Sequence, residues 1–415
     1  MSSTPRQTPP LFSPAPERRE RNLTAPSLVA LAVICAIALG LQMYHFWPLV
    51  ANDAFLSLRY SQRLIEGPGL TRNNLPPAVE KDTSLLWGLL CAGLGALGMK
   101  LVSAAHLLGI VSTIAGITAV AAQVYREYPA KIRFLSALIA CLALSLSAPV
   151  AVWALGGLEQ PLLAALLAWA AYFGIRWVSA AKPNPRDADV MGLLLGFAVL
   201  TRADAALFTV LFYAGAVLAD GMRPRSLIAR ARLLPIPILF FAGQEFFRHV
   251  FHGAWISSGV KVAFTWHRLS SGLWYELYGF RAEFVFLLLT LIGCIALGIA
   301  NKKRQVILLG TISAGWLFYV LILGGDNLPS YRHFVPAMAL MGFLVSGCGL
   351  LTLSAPFRFS RARVAIFLLL TLLVLTSDFF ARGNTLKRKG EQLGIFLQTA
   401  SGQSIRCSSP RPEAH

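Results

Sequence analysis

Long apolar runs alternate with short polar breaks along almost the whole chain. A crossing helix needs about 20 mostly apolar residues. Candidate runs occupy 27–48, 102–124, 134–154, 161–179, 189–201, 205–219, 233–248, 284–300, 305–323, 335–353 and 364–380. The pair 189–201 and 205–219 is short and is interrupted by the charged "TRADA". One further run, "SLLWGLLCAGLGALG" at 84–98, is ambiguous, because counting it as a crossing reverses the side of every later loop. Loop charge decides, since Lys and Arg favour the cytoplasmic side. With 84–98 left out, "PERRERN", "YREYPAKIR", "RWVSAAKPNPR", "GMRPRSLIARAR", "NKKR" and "FRFSRAR" fall on one side. The opposite side receives 50–101, "GGLEQP", 249–283 and "GGDNLPSYRHF", which carry most of the exposed acids.

The pattern therefore predicts an all-α polytopic membrane protein with about eleven crossings over 27–380 and the N-terminus inside. The segment 84–98 is expected to lie against the membrane or dip into it. Residues 1–26 are polar and Pro-rich and read as a disordered cytoplasmic tail, and the run after them is too long for a signal-peptide core. The tail 381–415 falls outside on this count, against the pull of Arg382, Lys387, Arg388 and Lys389.

Composition agrees with lipid as the main solvent. The chain has 415 residues, 56% hydrophobic and 13% charged, where a water-soluble domain carries about 25% charged residues. The net charge of +18 lies in short clusters between apolar runs, which reads as topology and not as a nucleic-acid face. Of the six cysteines, Cys35, Cys91, Cys141, Cys294 and Cys348 lie in apolar runs and only Cys407 in a polar tail. No Cys/His spacing points to a metal or redox centre.

The informative polar residues sit on the acid-bearing side. "NDAFLSLRYSQRLIEG" places Phe55, Leu58 and Leu64 among Arg59, Gln62, Arg63 and Glu66, an amphipathic pattern suited to a helix on the bilayer surface. Trp87 stands where interfacial Trp is common. Asp53 follows the first crossing closely, and a carboxylate at headgroup level can serve as general base towards a hydroxyl. The alternative is a solvated flanking acid. Glu159 occupies a tight turn, where a lone acid is usually solvated. Arg202 and Asp204 interrupt two short apolar runs, which favours a pocket or an internal ion pair over lipid contact. In "GGDNLPSYRHFVP", Gly324-Gly325 loosens a helix end, and Asp326, Tyr331, Arg332 and His333 follow. Arg332 can grip a phosphate with two parallel bonds. His333 alone is more often structural. The stretch 249–283 puts Lys261, His267 and Arg268 among Trp255, Trp266, Trp274, Tyr275 and Tyr278, which suits an interfacial belt or a sugar platform. No nucleotide-binding or hydrolase motif occurs.

Taken in order, "NDAFLSLRYSQRLIEGPGL", "KDTSLLWGLL", "GGLEQPLLAALL", "LTRADAAL" and "GGDNLPSYRHFVP" resemble segments of the GT-C class of polytopic glycosyltransferases. Within that class they are similar to the mycobacterial terminal arabinofuranosyltransferases and the type IV pilin arabinofuranosyltransferase. The resemblance spans roughly 50–340. It implies a GT-C bundle with juxtamembrane helices in the first outer loop, and a polyprenyl-phosphate-linked sugar as donor. It also implies an acid of that loop as general base, an outer-face site in the bacterial inner membrane, and inversion at the anomeric carbon. No cofactor or metal is implied, since the lipid-linked sugar is a substrate.

The family's acidic pair is Asn52-Asp53 here, so only Asp53 can be the base, with Asn52 beside it. Arg59, Arg202, Arg332 and Lys261 are then expected to meet the donor and its phosphate. Glu159, Asp204, Asp326, Tyr331 and His333 would support them. The family's Pro after the arginine is Ala203 in this chain. With a short C-terminal tail, acceptor recognition is expected to rest on membrane-proximal loops or a partner, and the acceptor to be a pilin Ser/Thr or an envelope glycan. Two other readings compete: a flippase for the lipid-linked sugar, which intramembrane charge would also serve, and a non-catalytic membrane subunit. A GT-C enzyme using another sugar is the nearest variant.

Overall fold

A computed structural model describes residues 17–67, 84–252, 266–326, 328 and 330–352. Apolar runs in lipid must satisfy their backbone groups internally, and helices do so. Fifteen α-helices are present among the described residues. The first four are α1 (Glu17–Phe46), α2 (Asn52–Glu66), α3 (Leu85–Ala96) and α4 (Leu101–Glu127). They are followed by α5 (Ala130–Leu146), α6 (Ala148–Leu155), α7 (Gln160–Ser179), α8 (Pro185–Thr201) and α9 (Ala206–Ala219). Next come α10 (Pro224–Arg230), α11 (Pro235–His252) and α12 (Trp266–Ala282). The described chain closes with α13 (Phe284–Ile299), α14 (Lys303–Leu323) and α15 (Phe334–Val345).

The protein is a multi-pass membrane protein. Five described helices are long and apolar enough to cross a membrane, and eight if each bent pair is one span. The expected run 134–154 is such a pair, α5 and α6, bent by 58° just before Pro149 of α6; proline cannot continue the preceding ladder. The helices α8 and α9 replace the two short runs around "TRADA". The eleventh expected run, 364–380, the tail 381–415 and most of 1–26 lie outside the described residues. The segment 84–98 forms α3, a short apolar helix below spanning length.

Small residues let the helices approach closely. A Cβ on Gly109 of α4 would overlap the Ala154 carbonyl of α6. Gly192 and Gly196 of α8 receive Ile236 and the Phe240 ring of α11, so those two helices run side by side in the same direction. The centre is filled by Trp153, Trp316, Phe208, Phe212 and Phe334, all fully buried.

The bundle has two chemically distinct ends. At one, Lys302 and Arg126 both pair with Glu127, Arg176 pairs with Asp187, and Arg232 with Asp189. Arg230 and Arg304 share Asp220 there, and the Arg230 guanidinium also covers the Trp177 ring at 4.3 Å. The other end gathers the start of α2, the turn before α7, the break between α8 and α9, and the loop between α14 and α15.

Candidate functional site

Each of the four segments is a place where a helix stops. Gly156 and Gly157 turn the chain from α6 into α7, with Gly157 at φ +77°. That turn is also the dock for α2: Ala51 N–H donates to the Gly156 carbonyl at 2.9 Å. A Cβ on Gly157 would press on the Ala54 methyl at 3.0 Å. Trp87 of α3 closes the arrangement, its Nε1 donating to the Gly157 carbonyl at 3.2 Å. Asp53, in the first turn of α2, is thereby fixed beside the turn that carries Glu159.

One sequence expectation is corrected at this point. Trp87 is fully buried and is not an interfacial ring, because its indole N–H finds a backbone carbonyl inside the fold. The helix α2 is amphipathic, as its sequence pattern suggests, and one of its faces packs on α3. Its buried residues are Ala54, Ser57, Leu58, Tyr60, Ser61 and Arg63, and Ser61 Oγ donates to the Gly88 carbonyl of α3 at 2.9 Å. Phe55 is exposed. Small hydroxyl residues, which a hydrophobic count overlooks, make the close contact.

At the break after α8, a single 3₁₀ turn (Ala203–Ala205) separates the two helices. Arg202 Nε and Nη2 donate to the two Asp204 oxygens at 2.9 and 2.7 Å, and Nη1 donates to Glu159 Oε1 at 2.9 Å. Burial works against the Arg202 charge, but Asp204 and Glu159 outweigh it and hold the guanidinium above its ordinary value. Burial would likewise raise the Asp204 carboxyl, yet Arg202 holds it below the ordinary range. Arg202 is thus committed to carboxylates on two sides.

The fourth segment is a tightly held loop. Gly324 and Gly325 end α14 at φ +90° and +73°. Ser330 and Tyr331 then adopt left-handed backbone at φ +59° and +47°, which costs roughly 1–3 kcal/mol each for non-glycine residues and persists only where neighbours over-determine it. Three aromatic side chains do so. Trp153 Nε1 donates to the Ser330 carbonyl at 3.2 Å. Trp316 Nε1 donates to the His333 carbonyl at 2.7 Å. His333 N–H donates to Tyr275 Oη at 3.4 Å, and the Tyr275 and Tyr331 rings meet edge to face at 5.3 Å.

The loop delivers Arg332 between two acids. Its Nε pairs closely with Asp326 Oδ2, and its Nη1 stands 3.9 Å from Asp53 Oδ2. The Asp53 side chain is 60% exposed, against 10% for Asp326. His333 lies 3.8 Å from Asp326. Burial, with Arg202 and Arg332 nearby, drives its imidazole down to about 3, so it is neutral near pH 7. The site end therefore sets Asp53, Glu159, Asp204 and Asp326 against two guanidiniums. An open carboxylate beside a guanidinium can take a proton from a hydroxyl and steady an anion in one place.

Of the residues expected from sequence, Asp53, Glu159, Arg202, Asp204, Asp326, Tyr331, Arg332 and His333 are brought together. Asn52 is exposed next to Asp53. Arg59 stands apart on the exposed face of α2, donating to Gln62 at 3.2 Å. Lys261 lies outside the described residues. Among the described residues no group of three or more His, Cys, Asp or Glu side chains is arranged to hold a metal ion. Sequence reasoning did not single out Trp153, Trp316 or Tyr275 as the posts of the loop. An aromatic in an apolar run carries no mark of the carbonyl it will meet.

No family profile matches the sequence, and no curated protein matches it. Solved structures do. Cupriavidus metallidurans ArnT bound to undecaprenyl phosphate superposes with a TM-score of 0.61 at 16% identity, over 85% of this chain and 64% of that one. Apo ArnT gives 0.58 at 15% identity, over 80% and 61%. The Archaeoglobus fulgidus oligosaccharyltransferase in its apo form gives 0.53 at 11% identity, over 85% and 56%. At these identities the likeness establishes the fold, a GT-C-type helical bundle. The chain spans under two thirds of the length of each of these structures.

Proposed function

We propose that the protein is a membrane glycosyltransferase that moves a sugar from a polyprenyl-phosphate carrier to a hydroxyl acceptor at the site end. The observation that carries the reading is the Asp53–Arg332 pair, an open carboxylate 3.9 Å from a guanidinium. It is supported by a fold shared with a transferase crystallised with undecaprenyl phosphate.

In the proposed reaction, Asp53 takes the proton from the acceptor hydroxyl. The freed oxygen forms a bond to the anomeric carbon from the side opposite the phosphate. The bond from that carbon to the phosphate oxygen breaks, the electron pair leaves with polyprenyl phosphate, and the configuration inverts. Arg332 offsets the charge gathering on the leaving phosphate, with Lys261 as the further cation expected there. Arg202, bound on two sides by Glu159 and Asp204, has a positioning role: it ties the break after α8 to the turn before α7. His333, being neutral, adds no charge. The sugar is assigned as arabinofuranose and the acceptor as a pilin Ser/Thr or an envelope glycan on the sequence resemblance alone. The site end is assigned to the outer face on loop charge, and to the periplasmic side of a bacterial inner membrane on the sequence resemblance.

The test is a reconstitution. Protein in vesicles is given polyprenyl-phospho-arabinofuranose on one side and a hydroxyl acceptor on the site side. A glycosylated acceptor with inverted anomeric configuration is expected. Donor that crosses the bilayer with no new glycosidic bond would overturn the proposal in favour of a flippase.

A further inference from the structure

An ionisable side chain is costly inside a membrane helix, and one that is kept there has a partner and a task. His106 stands in the second turn of α4 and is 7% exposed. Its neighbour Ala105 lies at the turn before α7, 4.0 Å from where a Gly157 Cβ would stand, so His106 belongs to the site end. The proposed reaction has no use for it. Its partner is the linker between α1 and α2: Nε2 lies 3.2 Å from the Leu49 carbonyl. A carbonyl only accepts, so Nε2 carries the proton and donates. The Trp47 ring lies against the same imidazole at 5.0 Å.

The linker needs such a hold. Pro48 keeps α1 from running on into α2 and brings no N–H of its own. On one side the linker is tied to the turn before α7. Ala51 N–H donates to the Gly156 carbonyl at 2.9 Å, and a Val50 methyl carbon lies 3.5 Å from the Gly157 Cβ position. On the other side, from α4, His106 ties Leu49. Asp53 follows in the first turn of α2. Its side chain is largely open and does not fix its own place by packing, so the backbone beneath it must. A misplacement of about 1 Å at a reacting group can cost about 10²-fold in rate.

We propose that His106 is a positioning residue for the transfer reaction: its Nε2–H holds the Leu49 carbonyl and so keeps the Asp53 carboxylate within reach of the acceptor hydroxyl. The inference rests on the reading of Asp53 as the base.

The experiment compares wild type, His106→Gln and His106→Leu as full chains in vesicles. Glutamine carries an N–H to about the place of Nε2, and leucine carries none. Amide hydrogen exchange over 49–54 is measured first, because it needs no substrate. It is expected to speed up in His106→Leu and to stay near wild type in His106→Gln. Unchanged exchange in His106→Leu would overturn the proposal.

Single-turnover transfer from polyprenyl-phospho-arabinofuranose to a hydroxyl acceptor is then measured per folded molecule. A loss of up to about 10²-fold is expected in His106→Leu, with rescue in His106→Gln and an unchanged KM for the donor. In an Asp53→Asn background His106→Leu is expected to cost nothing more, since a group that acts through Asp53 has nothing left to position. The same further loss in both backgrounds would overturn the proposal. Transfer at the wild-type rate by Asp53→Asn alone would instead remove the base, and the exchange result would show the hold on the linker separately. Should His106→Leu insert poorly, His106→Asn takes its place, because its shorter amide does not reach Leu49.

Discussion

The two ends of the bundle use the same kinds of side chain to opposite effect. At the basic end, Arg126, Arg176, Arg230, Arg232, Lys302 and Arg304 share the acids Glu127, Asp187, Asp189 and Asp220. At the site end, Arg202 and Arg332 face Asp53, Glu159, Asp204 and Asp326. One end has cations to spare, the other carboxylates. Spare cations suit the cytoplasmic side of a membrane. A spare carboxylate suits proton transfer, and Asp53 is the most open of the four. Ion pairs that look alike as pairs therefore differ in meaning by what is left over around them.

Matched substitutions sharpen that contrast. Arg202 and Arg230 are both nearly buried, with side chains 14% and 5% exposed. Removing Arg202 takes from Glu159 and Asp204 their shared partner, and removing Arg230 leaves Asp220 only the more distant Arg304 at 3.9 Å; breaking a buried pair costs about 3–5 kcal/mol in typical cases. Arg202→Gln and Arg230→Gln are thus expected to lower the melting temperature comparably. Only Arg202→Gln is expected to reduce turnover per folded molecule as well, because Glu159 and the loop after α8 lose their tie. Equal loss of turnover in both would erase the distinction between the ends.

Arg332→Gln comes next. Removing one charged donor from a developing anion costs about 10²–10³-fold in rate, so kcat per folded molecule is expected to fall by that order, with a loss of stability beside it because Asp326 loses its partner. An unchanged rate would shift the phosphate role elsewhere.

The pH dependence of stability gives a further handle. His333 is held near 3 in the fold against an ordinary 6.5. Above 6.5 it is neutral whether folded or unfolded and adds no pH dependence. As pH falls from 6.5 towards 3, the unfolded chain takes up a proton that the folded one refuses, and stability is lost. His333→Asn should flatten denaturation midpoints across that window. The smallest effect belongs to Arg232→Gln. Its pair with Asp189 is about half exposed on both sides, and exposed pairs contribute little, so the melting temperature should stay where it is.

The sequence made the ingredients of this contrast legible, and the tertiary contacts less so. Asp53, Arg202 and Asp204 were visible because charge interrupts or closely flanks apolar runs, and such interruptions are costly unless something answers them. The Arg202–Asp204 pair could be suspected from adjacency alone. Its third member, Glu159, lies 43 residues earlier in the chain and is joined only by packing of α7 on α8. Trp87 and Trp153 read as ordinary membrane aromatics, although each fixes a glycine turn or a strained loop through its indole N–H. The packing face of α2 was hidden for a related reason: Ser57 and Ser61 look solvent-facing by hydropathy, yet they are buried and Ser61 reaches the α3 backbone. Loop charge, by contrast, separated the two ends correctly, since every basic-end ion pair draws its cations from the clusters assigned to one side.

The central claim is that Asp53 is the base of a glycosyl transfer, and single-turnover transfer by Asp53→Asn tests it most directly. Asparagine keeps the size and the place in the first turn of α2 but cannot take the proton. With donor bound and protein inserted as in wild type, transfer is expected to fall by roughly 10²–10⁴-fold, the usual contribution of a general base. Transfer at the wild-type rate by the Asp53→Asn protein would contradict the account.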